Sequence, residues 1–206
     1  MQYEDIYFNL FIVITIYLGV LTIHLIIKAI KAESERKFYY VSIAFFTGFY
    51  MLCRIILDIN IASEGDPYSF LYQIATFFAM LGLFGLMVAV EKYIYQRLKF
   101  VPTICILIFT CLILIFPTYN GTNFITYWAT IGSLFAILIP LLYFHVGFKS
   151  TGEVRKKSLY MAVSLLVFLV GKGMNFVFLL ELFPILRIIV PILMIAGLIL
   201  LHIGIA

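Results

Sequence analysis

Arg54 and Asp58 stand four residues apart inside an otherwise apolar stretch, a spacing that puts both on one face of a helix. Farther along, Lys172 and Asn175 share a helical face, Glu181 follows at the end of the same stretch, and Arg187 opens the next. Charges within apolar helices are costly and face a partner or a wet cavity. Two chemistries follow. Arg54 and Lys172 can anchor a small polar or anionic ligand, with Asp58, Asn175 and Glu181 tuning or closing the pocket. Alternatively the same groups form ion pairs, Arg54 with Asp58 and Lys172 with Glu181 or Asp58, that hold helices together. Lys172 lies between Gly171 and Gly173, which lets another helix or a ligand approach the backbone closely.

A second constellation is Glu91-Lys92-Tyr93, an acid, a base and a tyrosine at the end of an apolar run. It reads either as a latch on neighbouring helices or as an interfacial cluster whose long side chains snorkel towards water. His24, His145 and His202 are weak metal or haem candidates, each alone on its helix without an HxxxH or HxxE companion. A lone histidine in a membrane helix usually serves packing through a hydrogen bond. No resident cofactor or metal is therefore expected. Cys53, Cys105 and Cys111 lie in apolar stretches, form no CxxC pair and read as small core residues.

The elements that must position these groups follow from composition. Of 206 residues, 65% are hydrophobic and 12% charged, with a mean hydropathy of +1.14, whereas soluble domains carry roughly 25% charge. Only a bilayer can cover so much apolar surface. Apolar windows fall at about 6–30, 39–61, 68–92, 100–117, 124–147, 158–181 and 184–205. The expectation is an all-α integral membrane bundle of seven transmembrane helices forming one domain over residues 1–206, a multi-pass protein of the cell membrane. Seven crossings take about 140 residues, which leaves no room for a soluble catalytic domain, and no enzyme is expected.

Loop charge orients the bundle. Lys28, Lys31, Arg36 and Lys37 fall in the first connection, Lys92, Arg97 and Lys99 in the third, and Lys149, Arg155, Lys156 and Lys157 in the fifth. The alternate connections, 60–67, 117–123 and the turn at Leu182-Phe183-Pro184, contain no Lys or Arg. Basic loops stay in the cytoplasm, so the N-terminus is expected outside and the C-terminus inside. The sequon Asn120-Gly121-Thr122 falls in an outer connection, and Tyr3, Tyr7, Phe8, Tyr68, Tyr119, Tyr127 and Trp128 gather at the outer interface. The net charge of +4 is thereby a topology signal, and no nucleic-acid partner is expected. The acidic start, with Glu4 and Asp5, and the length of the first apolar stretch argue that it is retained in the mature protein.

With an odd number of crossings, helices 1–3 and 5–7 run in the same sense about helix 4, a possible 3+1+3 parallel repeat. This topology resembles that of SWEET-type sugar transporters and of seven-helix receptors. Glu91-Lys92-Tyr93 at the cytoplasmic end of the third helix resembles the acidic-Arg-Tyr motif of G-protein-coupled receptors, and Pro140 and Pro191 add hinge points within helices 5 and 7. Lys92 stands where that motif has arginine, and the receptors' Asn-Pro-x-x-Tyr and Cys-Trp-x-Pro motifs are missing. Size and topology also resemble the seven-helix input modules of bacterial and archaeal histidine kinases. The apolar ending Ile203-Gly204-Ile205-Ala206 suits a module followed by a further domain, and a short tail fits equally. A microbial rhodopsin is not expected, because the lysine of those proteins belongs to the last helix and none lies between Arg187 and Ala206.

The function expected from sequence is a non-enzymatic sensor or receptor-type module with an outward-facing polar pocket. Its partners would be the bilayer, a small polar or anionic ligand, and a cytoplasmic signalling protein or a second copy of the chain. The alternative is a small-solute transporter, which needs a polar path on both sides of the midplane; the cytoplasmic halves offer little beyond Ser42, Thr47 and Ser164. A haem- or metal-binding membrane protein is the third reading and rests on the histidines.

Overall fold

The computed structural model describes residues 3–63, 70–119, 122–174, 180 and 182–205. The helices are α1 (Tyr3–Lys31), α2 (Ser34–Ser63), α3 (Phe70–Tyr93), α4 (Val101–Ile115), α5 (Ile125–Ala136), α6 (Leu138–Lys149), α7 (Gly152–Met174) and α8 (Leu186–Ile205). A one-turn 3-10 helix (Gln96–Leu98) joins α3 to α4. Between α4 and α5, Thr118 pairs with Asn123 and Tyr119 with Thr122 in a minimal antiparallel bridge. The fold is otherwise all-α. Five windows are long and apolar enough to cross a bilayer: Ile6–Lys31, Arg36–Asn60, Phe70–Tyr93, Ile125–Lys149 (α5 and α6 together) and Leu186–Ile205. This is consistent with a helical membrane bundle. The stretch expected at 158–181 runs partly outside the described residues.

Hydropathy windows end where charge begins, but the helices continue. α2 starts at Ser34 and α7 at Gly152, several residues before the apolar windows at 39 and 158, so the basic residues of the first and fifth connections stand mostly on helical extensions. Lys and Arg are good helix formers, and the extra turns bond main-chain groups that a loop would leave to water. Only Ala32-Glu33 and Ser150-Thr151 remain between helices there. The single helix expected at 124–147 is interrupted at Ile137. Pro140 explains the break: it lacks the N–H that would bond to residue 136, and restarting the helix at Leu138 puts the proline in a first turn, where no such bond is needed. Pro191 lies inside α8 without a comparable interruption.

The chain divides into two compact units, residues 18–136 and residues 1–17 with 137–206. In the first, α2 packs along α3, and α4 packs on α3 and α5. The buried face of α2 runs through Ile43, Phe46, Tyr50, Cys53 and Arg54, that of α3 through Ala79, Leu83, Leu86, Val90 and Glu91, and that of α4 through Thr103, Ile106, Thr110 and Ile113. Each follows the three-and-four spacing of one helical stripe. Gly82 brings α2 close to α3, since a Cβ there would stand 3.1 Å from the Phe46 carbonyl oxygen. In the second unit α7 packs against α6 and α8. Gly197 lets α8 meet α7 backbone to backbone; a Cβ would lie 2.9 Å from the Ser164 carbonyl oxygen.

Candidate functional site

The site with the most developed geometry lies where α3 hands over to α4. Glu91 is 1% exposed because it falls on the inward stripe of α3, four residues after the buried Met87. From α4, the Thr103 hydroxyl donates to Glu91 Oε2, and the Thr103 backbone N–H donates to the same carboxyl group. The second oxygen, Oε1, is buried and accepts nothing among the described residues.

The beginning of α4 explains this arrangement. Its N-cap, Phe100, offers no side-chain acceptor, and a proline stands in its first turn. Helices begin with N–H groups that need acceptors and with a partial positive charge that favours a negative side chain. Glu91, reaching across from the preceding helix, supplies both. The turn between them has a fixed shape: Leu98 N–H donates to Tyr95 O at 3.3 Å, Lys99 N–H to Gln96 O at 3.2 Å and Ile104 N–H to Phe100 O at 2.9 Å. Lys99 and Phe100 both take positive φ, 51° and 60°, a region that residues with side chains rarely occupy.

The other two members of the acid-base-tyrosine cluster part from Glu91. Lys92 and Tyr93 are exposed. The Lys92 ammonium stands 4.0 Å from the centre of the Phe38 ring and 5.5 Å from that of Tyr93, while the Phe38 and Tyr93 rings lie 5.9 Å apart. The cluster is therefore two devices: an acid that ties α3 to α4, and a cation on an aromatic shelf that ties α3 to α2.

Within α2, Arg54 Nη2 donates to Asp58 Oδ1 at 2.6 Å, and the two side chains are 4% and 15% exposed. This is the i,i+4 pair that the spacing implies, and both residues have further interactions. Lys172, half-buried, stands in the last turn of α7. Asn175 and Glu181 lie outside the described residues. Among the described residues, no group of three or more His, Cys, Asp or Glu side chains is placed to hold a metal ion. His202 Nδ1 lies 3.1 Å from the Tyr17 hydroxyl, and His145 is exposed on α6. All three cysteines are free, with Cys53 buried and Cys111 exposed.

Several partners are not singled out by sequence. Thr103 is the first, and its signal is Pro102, which marks a helix start beyond the connection that follows α3. Gln73 is the second: its Nε2 donates to the Ile113 and Leu114 carbonyls at 2.9 and 3.3 Å, and Trp128 Nε1 donates to Phe116 O at 3.2 Å. Together they provide donors to carbonyls at the C-terminal end of α4, where the helix itself has none left. Thr22 and Thr47 join α1 to α2 through their hydroxyls at 2.8 Å. Comparison with protein-family models, with curated proteins and with solved structures finds no match to this chain.

Proposed function

We propose that the chain is a non-enzymatic sensor or receptor-type module of a cell membrane, crossing it seven times with its N-terminus outside. The crossings are α1, α2, α3, α4, α5 with α6, α7 and α8. Charge supports this orientation: the α1–α2, α3–α4 and α6–α7 junctions carry the Lys and Arg residues, whereas 60–67 and 117–123 carry none. Arg54 and Asp58 then lie in the outer half of α2, and Glu91 lies at the cytoplasmic end of α3.

The observation that carries the reading is the Glu91–Thr103 tie. It is polar, buried and made between the end of α3 and the start of α4, so a signal would act by breaking or remaking it. A small polar or anionic ligand that engages Arg54 and competes with Asp58 would bias α2. Because α2 packs along α3, that bias reaches Glu91 through contiguous packing, and a cytoplasmic signalling partner or second copy would read the result. Such coupling requires that the ligand favour one condition over the other.

The test has two arms. Thermal-shift screening of small polar and anionic compounds on the purified protein should find one that stabilises wild type more than Arg54→Ala. The same compound should change the fluorescence of a probe attached at Gln96→Cys, and Thr103→Val should abolish that change. A screen in which no compound distinguishes wild type from Arg54→Ala removes the ligand site. A compound that binds without any probe response removes the signalling role.

A further inference from the structure

Two of the basic helix junctions contain residues at positive φ, and they contain different ones. At the α6–α7 junction the residue is Gly152, the first of α7, φ +62°, with open space around its Cβ position. Glycine takes that conformation freely. Between α3 and α4 the residues are Lys99 and Phe100, where two full side chains are kept in a conformation that disfavours them. Strain of this kind persists only where the surroundings over-determine it, and it concentrates at binding surfaces. Here the Glu91 carboxyl group, bound to Thr103 three residues beyond Phe100, fixes the start of α4, and the main-chain bonds of the turn fix the rest.

The side chains presented by this turn have a common chemistry. Lys92, Arg97 and Lys99 are exposed, with the Lys92 ammonium over the Phe38 ring. Phe100 and Val101 are 43% and 57% exposed. Cations beside uncovered apolar side chains, at the end of an apolar helix, complement a phospholipid: phosphate against the ammonium and guanidinium groups, the first acyl carbons against Phe100 and Val101.

We propose that residues 92–101 form a binding site for the headgroup of an anionic phospholipid, with Lys92, Arg97 and Lys99 holding the phosphate and the strained Lys99-Phe100 pair setting their spacing. The proposal requires α3 and α4 to lie in a bilayer. It depends neither on which face is cytoplasmic nor on the signalling role above.

The test uses the full chain in nanodiscs of phosphatidylcholine alone or doped with phosphatidylglycerol, reading lipid retained by native mass spectrometry alongside thermal stability. Wild type should retain phosphatidylglycerol preferentially. The combined Lys92→Ala, Arg97→Ala, Lys99→Ala variant should lose about fivefold of that preference for each cation removed. Lys149→Ala with Lys156→Ala and Lys157→Ala, at the other junction, should keep it. Lys99→Gly separates charge from folding, because it relieves the backbone: a protein at least as stable that retains less phosphatidylglycerol supports the site, even if the combined variant fails to fold. Equal losses at both junctions would reduce the effect to diffuse charge and overturn the proposal, as would Lys99→Gly with wild-type retention. Stabilisation by inorganic phosphate in phosphatidylcholine discs equal to that by phosphatidylglycerol would assign the site to a free anion and overturn it as well.

Discussion

Removing the Thr103 hydroxyl and the Glu91 carboxyl group, separately and together, measures the tie between α3 and α4 directly. Thr103→Val is nearly isosteric and leaves the backbone N–H in place, so it deletes one hydrogen bond to a group that is 1% exposed. Glu91→Ala deletes that bond, the acceptor for the Thr103 N–H and the buried side-chain volume. A hydrogen bond between polar side chains in a membrane protein averages about 0.6 kcal/mol, and one involving a charged group reaches about 3 kcal/mol. The Glu91–Thr103 coupling should fall between, at about 1.5 kcal/mol, because the acceptor is an acid at a helix start and not a neutral amide. Glu91→Ala alone should cost more, about 3 kcal/mol, since loss of an N-terminal cap adds about 1 kcal/mol and the vacated space adds to that. The assay is reversible unfolding in mixed micelles for wild type, both single variants and the double variant. Glu91→Gln keeps an acceptor and should cost the least of the Glu91 variants. A coupling energy below about 0.3 kcal/mol, within the usual error of additivity, would show that the two residues do not act together and would refute the account of the α4 start.

Other outcomes follow from the same geometry. Asp58→Ala strips the carboxylate from a deeply buried arginine and should cost about 3 kcal/mol in thermal or micellar unfolding, whereas Arg54→Met with Asp58→Leu should recover most of it; a neutral Asp58→Ala would show that the pair does not hold the structure. Gly197→Ala pushes a methyl group against the Ser164 carbonyl and should cost about 2 kcal/mol. Gly152→Ala should cost about 1 kcal/mol for its backbone conformation alone, and Gly152→Asn should recover part of that, as Gly197→Asn should not. Gln73→Leu removes donors from the end of α4 and should raise amide exchange near Phe116 while leaving exchange near Thr103 unchanged.

Helix-forming stretches were legible because bilayer-scale apolar runs leave few alternatives, and the Arg54–Asp58 pair was legible because helical spacing puts positions 54 and 58 together. The burial of Glu91 was not. α3 is apolar on every side, so its sequence does not say which stripe faces inward, and an acid beside Lys92 and Tyr93 at the end of such a run reads as part of an exposed cluster. Its partner is twelve residues away across a turn whose shape depends on left-handed residues, Lys99 and Phe100, that carry no glycine or asparagine to announce them. The two prolines show the same limit. Pro140 coincides with a break and Pro191 does not, although each follows branched apolar residues, so the local sequence does not distinguish them.

The shortness of α4 has a consequence for the surrounding lipid. Fifteen residues from Val101 to Ile115 rise about 22 Å, against roughly 30 Å of hydrocarbon. If α4 crosses the bilayer as proposed, that shortfall must be met by local thinning of the lipid, by flanking side chains that snorkel or by association with another helix, at a fraction of a kcal/mol for each ångström of mismatch, a cost that α1, with 29 residues, would not incur. A change in membrane thickness would then act on the end of α4 that Glu91 secures.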